Sequence, residues 1–263
     1  MPQAPALIGK LAESAMGRRA RVLDVQRPAP GFLELTLSAE APPGGWRPGH
    51  EIQFRVAPTL SRRYTVRTVG GTGTGSRTST GTSGDGNGGV SNGGGSTDRG
   101  AEAERIGIIA AMESQGPGST WVGELRAGAE TVLLAGRHRA LRETGGRRLY
   151  LGDGSALGTI DAYAREDEQS LVAIEVPPPA VETLAARWPR YAFLPVAKAP
   201  GDALFAWLER AAGEGEFTRL DGAMLLGHAQ SIQRQRAALV DSRILPRRAV
   251  TTKPYWATGK AGL

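Results

Sequence analysis

The sequence of 263 residues contains no cysteine. That absence removes disulfides, cysteine-ligated iron–sulfur clusters, thiolate zinc sites and thiol redox chemistry. Histidine is nearly as scarce: His50, His138 and His228 are the whole set, and no two stand at a metal-ligand spacing. If this chain moves electrons, an organic cofactor has to carry them. No run of about 18 apolar residues occurs, so no membrane span is expected. The opening Met1–Ala6 lacks the charged start and apolar block of a secretory leader. A monomeric cytoplasmic protein is the expectation. Lysine is rare too. Of the 32 basic residues four are Lys and 28 are Arg, for a net charge of +6. The arginines are scattered and not interleaved with aromatics, which argues against nucleic acid as a partner and in favour of a small anionic one.

What is present divides the chain in two. Arg19–Gln26, Gly31–Ser38, His50–Ala57, Arg62–Val69, Arg105–Glu113 and Glu130–Ala135 show partial two-residue alternation between Pro/Gly turns. Six short strands with a helix start between the last two suggest an antiparallel barrel. From Arg147 the period changes. Strand Arg148–Leu151, helix Ser155–Glu166, strand Ser170–Val176, helix Ala180–Trp188 and strand Tyr191–Val196 alternate, followed by helix Asp202–Ala212, strand Ala223–Leu226 and helix Ala229–Asp241. Such alternation implies a parallel sheet covered on both faces. The reading is an extension over 1–17, a barrel over 18–141 and an α/β module over 147–263. Within the barrel, residues 70–100 are an insertion in which 13 of 31 residues are Gly, too poor in apolar side chains to offset its ordering entropy. Its glycines lack the flanking strand and helix of a phosphate loop.

Several constellations carry chemistry. Arg62-Arg63-Tyr64-Thr65 ends a strand: Arg62 can fork onto a diphosphate, Tyr64 can lie against an aromatic ring, and Thr65 can meet the polar edge of that ring. Gly116-Pro117-Gly118-Ser119-Thr120-Trp121 offers small residues and free amides at a helix start, which suits phosphate oxygens, or else is a plain Gly-Pro turn. Gly152-Asp153-Gly154-Ser155-Ala156-Leu157-Gly158 closes the first strand of the α/β module and opens its helix, where a dinucleotide diphosphate binds in related architectures. Glu175 stands 21 residues beyond Gly154 and can accept from a ribose hydroxyl, or else the turn is an ordinary βα connection and Glu175 a buried acid at a strand end. Tyr255-Trp256 in the C-terminal tail would stack on the barrel or on a cofactor ring. A hydrolase arrangement of Ser155, Asp202 or Asp221, and His228 has the right chain order but lacks the Gly-x-Ser-x-Gly elbow.

Taken in order, these blocks resemble the siderophore-interacting protein family, flavin-dependent ferric-siderophore reductases of the ferredoxin reductase-like superfamily. Arg62-Arg63-Tyr64-Thr65-Val66-Arg67 is similar to the family's Arg-x-Tyr-Thr-Val-Arg. Gln115–Trp121 is similar to its Gly/Pro/Ser block, Gly152–Gly158 to Gly-Asp-Glu-Thr-Ala-Leu-Pro, and Tyr255–Gly259 to Tyr-Trp-Arg-x-Gly. The chain departs from the pattern at Gln115, where the family often has His, and at Gly154 and Gly158, which replace Glu and Pro. It departs again where Leu226-Gly227-His228 replaces Ala-Gly-Glu. The resemblance implies FAD held by Arg62, Tyr64, Thr65, Val66, Gly116, Pro117, Gly118, Ser119 and Trp121. NADH or NADPH would meet Gly152, Asp153, Gly154, Ser155, Ala156, Glu175 and Gly227, with Tyr255 and Trp256 near the flavin. It also implies a ferric siderophore or other anionic iron chelate as electron acceptor. By charge, Arg247, Arg248, Lys253 and Lys260 around Tyr255-Trp256 would dock that chelate, or else form a solvated basic tail. No residue is required as nucleophile or general base. Glu175 and the Arg/Lys-free stretch 177–186 lean towards NADH. Other outcomes compatible with the motifs are a related flavin reductase with a haem-derived or quinone acceptor, or a flavin- or chelate-binding protein without turnover.

Overall fold

A computed structural model describes residues 16–70, 103–112, 116–135 and 146–260. Most of the N-terminal extension and of the Gly-rich insertion, together with Gln115, His138 and all but the last two residues of the expected boundary over 141–147, lies outside the described residues.

The first seven strands are β1 (Gly17–Gln26), β2 (Phe32–Glu40), β3 (Glu51–Ala57), β4 (Leu60–Thr65), β5 (Thr68–Gly70), β6 (Ala103–Ala111) and β7 (Glu130–Ala135). They form one antiparallel sheet in the order β4-β3-β7-β1-β2-β6-β5. Alternation produces it. In β2 the side chains of Leu33, Leu35, Leu37 and Ala39 point inward between Glu34, Thr36 and Ser38. They join Val22, Ile52, Phe54, Ile106, Ile108 and Leu133 in one apolar core. Each large buried aliphatic there contributes about 1.5–3 kcal/mol. The sheet's two edges, β4 and β5, are joined by only Val66 and Arg67, so the sheet must curl until its edges meet. The single strand expected over Arg62–Val69 breaks at that corner. The Val66 amide donates to the His50 carbonyl (2.8 Å), whereas the next amide, Arg67, donates to Gly107 (2.8 Å). Between β6 and β7 runs α1 (Pro117–Glu124), seated by Val122 and by the Trp121 ring, 4.9 Å from that of Phe54.

The second sheet contains β8 (Arg148–Asp153), β9 (Leu171–Val176), β10 (Ala192–Pro195), β11 (Gly222–His228) and β12 (Val250–Trp256). All are parallel, in the order β10-β9-β8-β11-β12. A 3₁₀ turn over Gly154–Ala156 leads from β8 into α2 (Leu157–Ala164), and α3 (Val181–Arg187), α4 (Asp202–Gly213) and α5 (Ala229–Asp241) complete the crossovers. Every residue of the interior strand β11 is buried, as covering both faces requires. The strand order reverses between β8 and β11, so the crevice at their C-terminal ends is the switch point where open α/β sheets bind ligands. β12 is a departure from the sequence reading, which treated this stretch as a polar tail. It is the edge strand of the sheet, the one place where Pro254 costs no ladder bond.

The two sheets share a core. Phe32 and Ile109 of the first pack with Tyr150, Leu157, Ile160 and Leu226 of the second. Gly158 allows that approach: a Cβ there would lie 2.8 Å from Ile109 Cγ2 and 3.2 Å from its carbonyl oxygen.

Candidate functional site

The flavin-type motifs come together across the barrel. Arg62 on β4 lies against the first turn of α1, so that a Cβ on Gly118 would stand 3.0 Å from Arg62 Cγ and 3.3 Å from the Tyr64 hydroxyl. A larger residue at 118 would push the arginine away. The helix is capped by Gly116 without a side-chain acceptor and carries Pro117 at its start. The first turn of the helix, with the positive end of its dipole, therefore lies beside Arg62. Among the described residues, the Arg62 guanidinium donates only to the neighbouring Ser61 carbonyl, at 3.0 Å. Guanidinium and helix start form a cradle whose donors suit a diphosphate. Tyr64 sits beside it with its hydroxyl 3.5 Å from the Gly118 carbonyl and its ring 5.9 Å from Phe54. Burial pushes its phenol up to about 12, with Arg62 opposing, so it stays neutral.

Three residues of this group have other work. Val66 is fully buried, and both its backbone groups are engaged, the amide with His50 and the carbonyl with Gly49 (2.8 Å each). Trp121 is packing for the barrel. Thr65 faces the second module: its hydroxyl shares a 2.6 Å hydrogen bond with that of Thr159 on α2, which also accepts from the Tyr255 hydroxyl at 2.8 Å. Burial raises the Tyr255 phenol well above its ordinary value, which keeps it a donor. Tyr255 therefore reaches the junction beside Thr65 through its hydroxyl, while the Trp256 ring lies on His228 and not on the barrel.

At the switch point the expected ligand contacts are turned inward. The Asp153 carboxylate accepts from the Ser155 amide (2.9 Å), the Ser155 hydroxyl, the His228 amide (2.8 Å) and Trp256 Nε1 (2.9 Å). Burial raises its pKa, and those hydrogen bonds oppose the rise. It ties the β8 turn, the end of β11 and the C-terminal strand into one knot. Gly227, at φ +105°, is required by this knot, since a Cβ would collide with the same carboxylate. Gly152 is packed against Ala156 and Ile160, Gly154 and Ala156 are buried, and Ser155 alone of the turn is exposed. Trp256 stacks on His228, with centroids 4.3 Å apart. Ser231 donates to the Pro200 carbonyl (2.7 Å) and so accepts from His228 Nδ1–H (2.7 Å), leaving Nε2 to accept from Thr258 (2.9 Å). Burial lowers the His228 pKa, which keeps the ring neutral in this arrangement.

Glu175 is buried, and its carboxylate accepts from the Gly201 (2.6 Å) and Ala203 (3.1 Å) amides. Its observed work is to cap α4, not to face a ribose. The hydrolase arrangement is not assembled: Ser155 is bound to Asp153, His228 to Ser231 and Thr258, Asp202 to Arg234, and Asp221 to the Arg147 amide.

The four basic residues expected to dock a chelate do not converge. Arg247 and Arg248 form a 3₁₀ turn before β12, while Tyr255-Trp256 ends that strand, roughly 23 Å further along at 3.3 Å per residue. Lys253 is ion-paired with the buried Glu51 of β3, and burial lowers its ammonium to about 8. Lys260 is exposed beyond the strand.

The polar clamp between the modules has no signature in the sequence. Arg67 donates to Asp161 of α2 (2.9 Å) and pairs with Glu34 of β2, which also pairs with Arg187. Asp161 further accepts from Trp188 Nε1 and the Tyr191 hydroxyl, both at 2.9 Å, and pairs with Arg165. Burial alone would raise the Asp161 pKa, but Arg165 and Arg67 outweigh it and hold the group ionised. Arg67 stands inside the flavin-like motif, so its presence was visible and its partners were not.

Among the described residues no helix is long and apolar enough to cross a membrane, and no three His, Asp or Glu side chains gather as a metal site. No protein-family model and no curated protein matches the chain by sequence. Solved structures do match by fold. A siderophore-interacting protein from Acinetobacter baumannii superposes over 93% of this chain and 92% of its own, with a TM-score of 0.67 and 15% identity. A siderophore utilization protein from T. fusca covers 94% and 95%, with a TM-score of 0.62 and 18% identity. Phthalate dioxygenase reductase, described as a modular structure for electron transfer from pyridine nucleotides to a [2Fe-2S] centre, covers 94% of this chain and 71% of its own, with a TM-score of 0.61 and 12% identity. The chain has the ferredoxin reductase-like fold.

Proposed function

We propose that this chain is a cytoplasmic, NAD(P)H-dependent, FAD-containing ferric-siderophore reductase of the siderophore-interacting type, with FAD on the module over 18–141 and the nucleotide on that over 147–263. The observation that carries the reading is Arg62 laid over Gly118 at the start of α1. Two phosphate-suited elements far apart in sequence face one space, which favours a diphosphate and hence FAD over FMN. Bound FAD would supply hydride acceptance from a reduced nicotinamide and single-electron delivery to Fe(III). The chain's own part is to hold and align. Arg62 and the amides around Gly118 and Ser119 bind phosphate, and Tyr64 flanks the ring. Thr65, Thr159 and Tyr255 fix the junction between the modules, and Ser155 is the exposed contact offered to the nucleotide. Reduction to Fe(II) weakens hard-oxygen chelation, because the lower charge attracts oxyanions less.

The test is to identify the flavin released on denaturation and to titrate the loaded protein anaerobically with NADH and with NADPH. The reading requires FAD, bleaching by at least one nucleotide, and reoxidation by a ferric chelate. FMN, or no flavin after reconstitution, sinks it.

A second reading, a reductase of the same fold with another acceptor such as a haem-derived group or quinone, is favoured by the dispersal of Arg247, Arg248, Lys253 and Lys260. Parallel assays with an anionic ferric chelate, a neutral one and a quinone at two ionic strengths separate the two. Salt-sensitive preference for the anionic chelate supports the first.

A further inference from the structure

One hollow belongs to neither half of the proposed redox site. A cavity of about 410 Å³ opens where the end of α2 meets the turn between α3 and β10, at the end of the parallel sheet opposite Ser155. Its size falls within the roughly 300–1,000 Å³ of small-molecule sites. Three guanidinium groups surround it, Arg165, Arg187 and Arg190, and each is already held in place. Arg165 pairs with Asp161. Arg187 pairs with Glu34 across the junction and lies 4.8 Å over the Trp188 ring. Arg190 donates to the carbonyls of Ala164 (3.2 Å), Arg165 (2.6 Å) and Asp167 (3.1 Å), which close the end of α2, and lies 5.9 Å over the Tyr191 ring.

The charge balance of this hollow is one-sided. Asp161 is the one carboxylate among its lining side chains. It is fully buried and its oxygens are engaged by Arg67, Arg165, Trp188 and Tyr191, so it presents no free acceptor to the cavity. Arg165 and Arg187, 41% and 36% exposed, each give one Nη to their protein partner. Among the described residues no further hydrogen-bond partner claims the rest of either fork. Guanidinium forks match carboxylate and phosphate oxygens, and arginines fixed beforehand lose little side-chain freedom on binding.

We infer that this cavity binds a small oxyanion-bearing metabolite, a di- or tricarboxylate or a phosphate ester. Arg165 and Arg187 fork its charged groups, and its carbon frame lies against Trp188 and Tyr191. The site does not depend on the flavin reading.

Calorimetric titration of the full chain at low salt, with citrate and with inorganic phosphate in separate arms, tests it. One site per chain is expected, and the arm that binds identifies carboxylate or phosphate as the ligand group. Arg165→Gln and Arg187→Gln should each weaken binding about 10- to 100-fold, and Arg165→Lys, which keeps the charge but loses the fork, by less. Arg187 also bridges the modules, so Arg165→Gln decides the matter if the other variant fails to fold. The double variant Arg247→Gln, Arg248→Gln should bind like the parent. No binding of either anion, Arg165→Gln binding unchanged, or a loss that follows Arg247 and Arg248 instead would overturn the site.

Discussion

The two halves of the crevice use similar residues to opposite ends. On the barrel side, a glycine and an arginine approach each other without a hydrogen bond between them: Gly118 makes room for Arg62, and the start of α1 has no side-chain cap. On the parallel-sheet side, glycines and acids approach each other and consume one another. Gly227 makes room for Asp153, whose carboxylate is filled by Ser155, His228 and Trp256, and Glu175 is filled by the start of α4. A buried acceptor surrounded by protein donors stabilises the fold, whereas a helix start without a side-chain cap beside an arginine has the chemistry to accept an anion. Substitutions on the two sides should therefore fail differently.

The largest effect is expected at Asp153. Asp153→Ala leaves the His228 amide, the Ser155 amide and the Trp256 indole without their acceptor, at about 1–3 kcal/mol for each group that stays buried. The melting temperature should fall by about 10 °C. A variant that melts like the parent but loses nucleotide affinity would reverse the comparison and make Asp153 a ligand contact. Next is Arg62→Ala, on the other side. It should lower flavin affinity roughly 10- to 150-fold, the worth of one charge-assisted hydrogen bond, with little change in melting. Flavin retention in gel filtration followed by fluorescence of the released cofactor measures it, and full retention would move the site off β4.

A smaller effect is expected from the pair that spans the modules. Lys253 in the folded chain releases its proton near pH 8, whereas the unfolded chain holds it to about 10.5, because burial of the ammonium outweighs its Glu51 partner. Unfolding thus takes up a proton between those values, and stability should rise with pH across that window. The gain should be about 2 kcal/mol, less than the full shift implies, since the side chain is partly exposed. Urea melts at pH 7.5 and 10 check this, and the double variant Glu51→Gln, Lys253→Met should show no such rise. The smallest effect is expected at Glu175. Glu175→Gln keeps one acceptor for the α4 amides and should cost about 1 kcal/mol. The KM for NADH should not move. A clear rise in KM would restore Glu175 as the ribose contact.

Much of the architecture was legible because periodicity is local. The alternating Leu33, Leu35 and Leu37 of β2 and the unbroken apolar run of β11 announce a one-sided and a two-sided strand whatever surrounds them. β12 was not legible, since Thr251-Thr252-Lys253-Pro254 carries no apolar period. An edge strand buries little and needs none. The break between β4 and β5 was hidden for a related reason: the corner is set by which strand accepts each amide, and that partner is distant in sequence.

Residue type alone thus determined the fold class, the absence of thiol chemistry and the pairing of Arg62 with a Gly-rich helix start as candidates for one anion. Tertiary structure decided which polar groups are left over. Apart from the local Ser155 contacts of Asp153, whether Asp153, Glu175, Gly227 or Lys253 can face a ligand depends on donors and acceptors contributed from 26 to 202 residues away. A carboxylate accepts a limited number of hydrogen bonds, and in a folded chain the nearest buried amides claim them before any ligand arrives.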